Sequence, residues 1–266
     1  MRVSSMMTRF PFSSWMLAIA LLLGTAPAVL GQEEDKPETV FTHRWEMGMT
    51  LHTRGMGAHV ELGTYRGVGK VSTWSLEVAS MKHPKEVRSF NPVYEQAKSY
   101  VFGKVNAAYM ARLGWGKRTI ATPKLRNGAV AIGWKYTLGP CVALTKPVYL
   151  EIGYPDIPYS YVLIERANFE FDQNDPNSHG THNIYGRAGA LNGILEMRPQ
   201  PGAFARIAID FEYGGQREFL RTASVGANLD AFLTPVEIMA PSTGQNDRLF
   251  LTLFVHWSFG RQQFKT

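Results

Sequence analysis

The chain has 266 residues, a formal net charge of +6 and one cysteine, Cys141. The positive charge is mild and is not gathered into a long basic run, so nucleic acid is not expected as a partner, and a lone cysteine excludes an intramolecular disulfide framework. An aromatic content of 12 % with 25 glycines fits an all-β chain better than a helical one.

Arg2 and Arg9 precede an apolar run over residues 15–23, which leads into Ala26, Ala28 and Gly31. That order is a secretory signal peptide over residues 1–31 with cleavage after Gly31; the apolar run is too short for a membrane-spanning helix. Residues 32–42, opening on Gln32, Glu33, Glu34, Asp35 and Lys36, then form a polar periplasmic N-terminal segment. No cysteine lies near the junction to carry a lipoprotein's lipid.

From residue 43 to 260 the pattern has period two, which is the signature of strands with two different faces. Trp45, Met47, Met49 and Leu51 alternate with Arg44, Glu46, Gly48, Thr50 and His52. A turn at 53–55 leads into Met56, Ala58, Val60 and Leu62 against Gly57, His59, Glu61 and Gly63, which makes a hairpin. Trp74, Leu76 and Val78 against Thr73, Ser75 and Glu77 give a third strand. A fourth reads from Val101 to Leu113 with Lys104, Asn106 and Arg112 on its polar side, followed by a turn over 116–127. The fifth carries Val130, Ile132, Trp134, Tyr136 and Leu138 opposite Gly133, Lys135 and Thr137, and can continue toward Leu144.

A second hairpin pairs Ala205, Ile207, Ile209, Phe211 and Tyr213 with Ala223, Val225, Ala227 and Leu229. The last strand has apolar odd positions from Leu249 to Phe259, and only Phe250 and Phe254 interrupt its even set. The count is eight. Ten is the alternative, because the stretch 161–171 is strand-like and could hide another hairpin in the long segment 145–201. Long loops at 81–99, 145–201 and 234–247 alternate with shorter connections, and residues 261–266 form a tail. The expected fold is therefore all-β: an up-and-down transmembrane β-barrel of the Gram-negative outer membrane with both termini on the periplasmic side. A lipocalin-like soluble barrel with the faces inverted is the competing arrangement.

In the membrane arrangement the charged face lines the lumen. Arg44, Glu46, Glu61, Glu77, Lys104, Arg112, Lys135, Arg206, Asp210 and Glu212 are expected there as a network of ion pairs, because unpaired charges in so narrow a space would be costly. Aromatic residues near strand ends, Trp45, Tyr100, Trp115, Tyr213 and Trp257, are expected to form interface girdles. An eight-stranded interior is barely wide enough for side chains, which argues against an open channel.

No catalytic residue is assigned. His52, His59 and His256 are expected to face the lumen and His179 and His182 to lie in a loop, none within a nucleophile motif. Asp172, Asn174, Asp175, Asn177, His179 and His182 carry ligand-type atoms but lack the glycine and terminal Glu of a calcium loop, so no metal and no cofactor is expected. Lys82 and Lys85 lie in an external basic stretch that could meet lipopolysaccharide headgroups.

The stretches 50–55 (TLHTRG), 81–87 (MKHPKEV) with Asn91 and Pro92, 183–187 (NIYGR), 236–240 (VEIMA) and 250–260 (FLTLFVHWSFG) resemble a group of small outer-membrane β-barrel proteins that carry no assigned activity. The closing strand is also similar to the aromatic-rich signal read by barrel-assembly machinery, although it continues through Arg261 to Thr266. The resemblance implies fold and location, with outer-membrane lipid, lipopolysaccharide and the assembly machinery as partners. Binding or scaffolding, as an accessory to an envelope complex, is the first functional reading. An outer-leaflet lipid-modifying enzyme and a narrow solute pore are the alternatives.

Overall fold

The computed structural model describes residues 41–91, 97–123, 129–153, 162–169, 179, 181, 183–214 and 218–264. The expected signal peptide, most of the expected N-terminal segment, and Asp172, Asn174, Asp175, Asn177 and His182 lie outside the described residues.

In chain order the strands are β1 (Phe41–His52), β2 (Gly55–Gly67), β3 (Lys70–Met81), β4 (Arg88–Ser89), β5 (Tyr100–Val101), β6 (Asn106–Thr122), β7 (Ala131–Pro147), β8 (Tyr149–Gly153), β9 (Val162–Arg166), β10 (Ile184–Arg187), β11 (Arg198–Tyr213), β12 (Phe219–Phe232) and β13 (Leu249–Phe264). Eight of them, β1, β2, β3, β6, β7, β11, β12 and β13, form a closed antiparallel barrel in which each pairs with its sequence neighbour in the series and β13 returns to β1. Closure leaves no sheet edge with unpaired backbone groups. The ten-strand alternative does not hold: β9 pairs with β8, and β8 with β10, in a separate three-stranded sheet.

The register fixes the stagger. From Tyr65 on β2 the paired row runs through Val71, Arg118, Lys135, Ala208, Gly226, Phe254 and His52 and re-enters β2 at Gly55, ten residues from its start. Eight strands with that stagger tilt by roughly 40–45°. Alternation then decides the faces. Leu251, Val255 and Ile207 are 64, 47 and 66 % exposed, whereas Glu46 and Arg206 are 2 and 5 % exposed, so the apolar face points outward and the charged face inward.

The outward face of β13 is apolar from Leu249 to Phe259. At about 3.4 Å per residue and the tilt above, this band is about 25 Å tall. Charged residues on the outward positions flank it: Lys117, Arg221 and Arg261 toward the end that holds the barrel's first and last residues, and Lys146 toward the other. Trp45, Trp74, Trp115, Trp134, Trp257 and Phe259 all face outward in the half nearer those terminal residues.

The fourth barrel strand differs from its sequence reading. It starts at Asn106 because Gly103, with φ +79°, turns the chain where a Cβ would meet Thr243 at 2.3 Å, and Val101 pairs instead with Arg88. It also runs on to Thr122, so the glycine and basic residues from 116 onward, read as a turn, are strand. β1 and β13 likewise extend past the expected limits of 43 and 260.

Both the loops and a second core sit at the end of the barrel opposite its terminal residues. Tyr100, Leu150, Ile152, Ala167, Phe169, Ile184 and Ala240 pack together there, so Tyr100 belongs to this cap core and not to an interface girdle. The segment 233–248 folds back as a plug. Val236, Ile238 and Met239 are buried against inward-facing Met81, Met110, Cys141, Ala143, Phe204, Phe232 and Phe250. Asn246 holds the plug in shape: its Oδ1 accepts from the amides of Ile238 and Met239 at 3.0 and 3.1 Å, and its Nδ2 donates to the Met239 carbonyl at 2.8 Å. The amides of Val105 and Asn106 both donate to the Ile238 carbonyl, tying the plug to the start of β6.

Candidate functional site: the lumen and the cap

Inward positions of adjacent strands bring opposite charges together in two clusters. In the lower cluster, nearer the barrel's terminal residues, Arg44 pairs with Glu46 and, at 3.4 Å, with Glu212. Arg118 bridges Glu46 at 3.3 Å and Asp210 at 2.9 Å. Lys135 continues the chain from Asp210, 3.7 Å away, to Glu61 at 2.9 Å. The Thr222 hydroxyl adds a hydrogen bond to Glu46, and the Tyr65 hydroxyl donates to Gln262.

The upper cluster centres on Arg112 and Glu77. Arg112 holds Asp230 through Nε and Nη2, both at 2.7 Å, and directs Nη1 at Glu77. The other oxygen of Glu77 takes Arg206 at 2.8 Å and lies 3.3 Å from His256 Nε2. Asn228 fills in by donating to Asp230 at 2.7 Å and accepting from Arg206. The guanidinium of Arg206 also lies over the rings of Phe204 and Phe254, which begin the apolar zone beneath the plug. Charges buried this deeply persist because each has partners, and removing one partner strands the others.

Of the ten residues expected in the lumen network, nine meet there and Lys104 does not. Because Gly103 breaks the strand, Lys104 falls outside the barrel and pairs with Glu86 at 2.6 Å. Sequence reasoning missed Arg118 and Asp230, while Asn228 and His256 were read on the polar, inward side but not as members of the network. Arg118 was hidden in the apparent turn, while Asp230 and Asn228 have inward parity with Thr222 and Ser224 on β12 and were legible from it. Phe250 and Phe254, which break the polar set of the last strand, face the plug zone. The interior is thus polar along most of its length and apolar at the loop end, where Phe250 and Phe254 interrupt the polar set of the last strand.

His59 sits between Thr50 Oγ1 at 3.0 Å and Ser258 Oγ at 2.9 Å, stacked on His256 with ring centroids 4.1 Å apart. A serine beside a histidine is the makings of a nucleophile. Here all four side chains are buried inside the barrel, below the plug. Thr50, His59 and Ser258 form a hydrogen-bonded filling on which the His256 ring packs. His52 Nδ1 accepts from the Arg54 amide at 3.2 Å at the loop-end rim.

Two clefts open on the cap. The larger, about 950 Å³, lies between the plug and β9 and is lined by Glu165, Asn168, His179, Glu237 and Asn246 among others. His179 bonds Glu165 at 3.0 Å and accepts from the Asn168 amide, but no serine, threonine or cysteine lines the cleft among the described residues. No set of side chains suited to a metal occurs among the described residues. The smaller cleft, about 340 Å³, is lined by Lys82, Arg88, Lys104, Lys146 and Arg187. Lys82 therefore lies on a basic surface with other cations, while Lys85 is exposed away from it. No protein-family model matches the chain, and no curated protein matches it.

Proposed function

We propose that the chain is an outer-membrane barrel protein with a sealed lumen, whose cap on the loop side works as a binding or scaffolding surface. The observation that carries this reading is the outward band. It is uncharged around the barrel, about 25 Å tall, and bordered on one side by tryptophans and cations, which are the dimensions and chemistry of a hydrocarbon slab and its interface. In water such a surface would be an apolar patch far beyond what a soluble monomer exposes. The apolar run over residues 15–23 with Ala26, Ala28 and Gly31 supplies the export signal that this location requires.

A pore is disfavoured by the same geometry. The two charge clusters cross-link the interior and the plug covers its loop end, so a solute would have to break several buried ion pairs to pass. The cap is the part free to act, with two clefts and, among the described residues, no strand pairing to the barrel.

Envelopes from cells expressing the chain should retain it in the outer-membrane fraction after a carbonate wash, and the purified protein should leave planar bilayers silent. Release into the wash would overturn the membrane reading. Steady single-channel conductance would overturn the sealed lumen.

A further inference from the structure

We propose that the basic cleft on the outer wall binds the phosphate of a lipid A-type headgroup whose acyl chains lie against β6 and β7. This rests on the membrane reading above.

Parity fixes where the cleft lies. On β6 the outward series runs from Trp115 and Leu113 through Ala111 to Tyr109 and Ala107, and on β7 from Leu138 through Val142 and Leu144 to Lys146. Tyr109 pairs with Leu144, and Ala107 with Lys146. Tyr109, Ala107 and Lys146 are also the floor of the cleft. The floor is thus the continuation of the apolar band, at the height where hydrocarbon gives way to headgroups and on the side that holds the loops. β5, β8 and β10 close the cleft from above through Tyr100, Tyr149 and Arg187.

The charge there is one-sided. Five cations line the cleft against one carboxylate, Glu86, which is already engaged by Lys104 at 2.6 Å and by the His83 amide. The Lys146 ammonium is buried and donates to the carbonyls of Ala190 and Asn192, and among the described residues no carboxylate pairs with its charge. Lys82, Arg88 and Arg187 have no ion-pair partner among the described residues. Cations that crowd one concavity without counter-charge repel one another, and an anion relieves that repulsion. Two guanidinium forks and two ammonium groups suit phosphate oxygens, which take bidentate and point-charge contacts alike. A soluble anion would use the cations but not the apolar floor. A lipid uses both.

The test uses the full-length protein in detergent micelles, titrated with diphosphoryl lipid A and, separately, with phosphatidylglycerol and inorganic phosphate. Saturable binding of lipid A is expected, weakening as salt rises. The double variant Arg88→Gln/Arg187→Gln changes two exposed side chains and should lose about tenfold or more in lipid A affinity, two charge-assisted contacts being removed. Lys85→Gln, outside the cleft, should bind as the parent does. Unchanged affinity in the double variant, or phosphate binding as tight as lipid A binding, would overturn the proposal. Tighter binding of phosphatidylglycerol would overturn the choice of lipid A. Carbonate resistance is scored for each variant in parallel, so a headgroup site that fails in a protein still held by membranes is distinguished from failure of the membrane reading.

Discussion

Arg112→Met is expected to destabilise the barrel by about 3–5 kcal/mol, because it removes one partner of a buried ionic cluster and leaves the rest in place. The variant keeps an unbranched, flexible stem but takes away the guanidinium and its three hydrogen bonds, two to Asp230 and one to Glu77. Glu77 retains Arg206, whereas Asp230 is left with the Asn228 amide, a fully buried carboxylate with no cation paired to it among the described residues. Adding Asp230→Asn to Arg112→Met should restore more than half of the loss, since it deletes the stranded charge. Urea unfolding in phospholipid vesicles followed by tryptophan fluorescence measures both effects. A double variant no more stable than the single would show that Asp230 is not what makes the arginine necessary.

The second large effect lies on the other face. Val255 is exposed near the middle of the outward band of β13, between Leu253 and Trp257 along the strand and beside Val225 and Leu51 across it. Val255→Arg should cost about 2–4 kcal/mol in a bilayer, the penalty for an arginine at the midplane of a lipid-facing strand. Facing water, the same substitution would fall within about 0.5 kcal/mol of neutral. Placing the arginine instead at Phe259, where Arg261 already follows two residues on, should cost about 1 kcal/mol or less, as depth decreases toward the interface. Equal costs at the two positions would mean that no hydrophobic gradient surrounds the barrel.

These two effects also mark what was legible in the sequence. Period-two alternation identifies the eight barrel strands because each has one face in contact with the interior and the other outside, and a slip of one residue would invert both. The nine lumen charges follow from parity alone once the faces are assigned. Parity fails where the backbone leaves the sheet. Lys104 has the inward parity of β6, yet it lies two residues before the first member of that strand, just past the left-handed turn at Gly103. Conversely, Gly116 and the neighbouring basic residues suggest a turn, but Gly116 fits beside the Tyr136 carbonyl within the sheet, and Arg118 is held inward by Asp210 and Glu46.

The cap was not legible. Its strands have two to five residues each, too few for a period to emerge, and its core draws single residues from distant segments, such as Tyr100, Phe169, Ile184 and Ala240. The plug was hidden for a related reason. Val236, Ile238 and Met239 look like an ordinary apolar loop fragment, and Phe250, their partner, and Phe254 nearby on the same strand look like faults in otherwise regular alternation. Those irregular phenylalanines were the available signal, because an apolar residue at an inward position needs an apolar neighbour.

Spin labels placed one at a time on the outward series Leu249, Leu251, Leu253, Val255, Trp257 and Phe259, in a Cys141→Ser background reconstituted into phospholipid vesicles, give the most direct measurement. Collision rates with oxygen should exceed those with a water-soluble nickel complex at every site, with the ratio highest near Val255 and falling toward both ends. A flat profile dominated by the nickel complex would put these side chains in water and contradict the account.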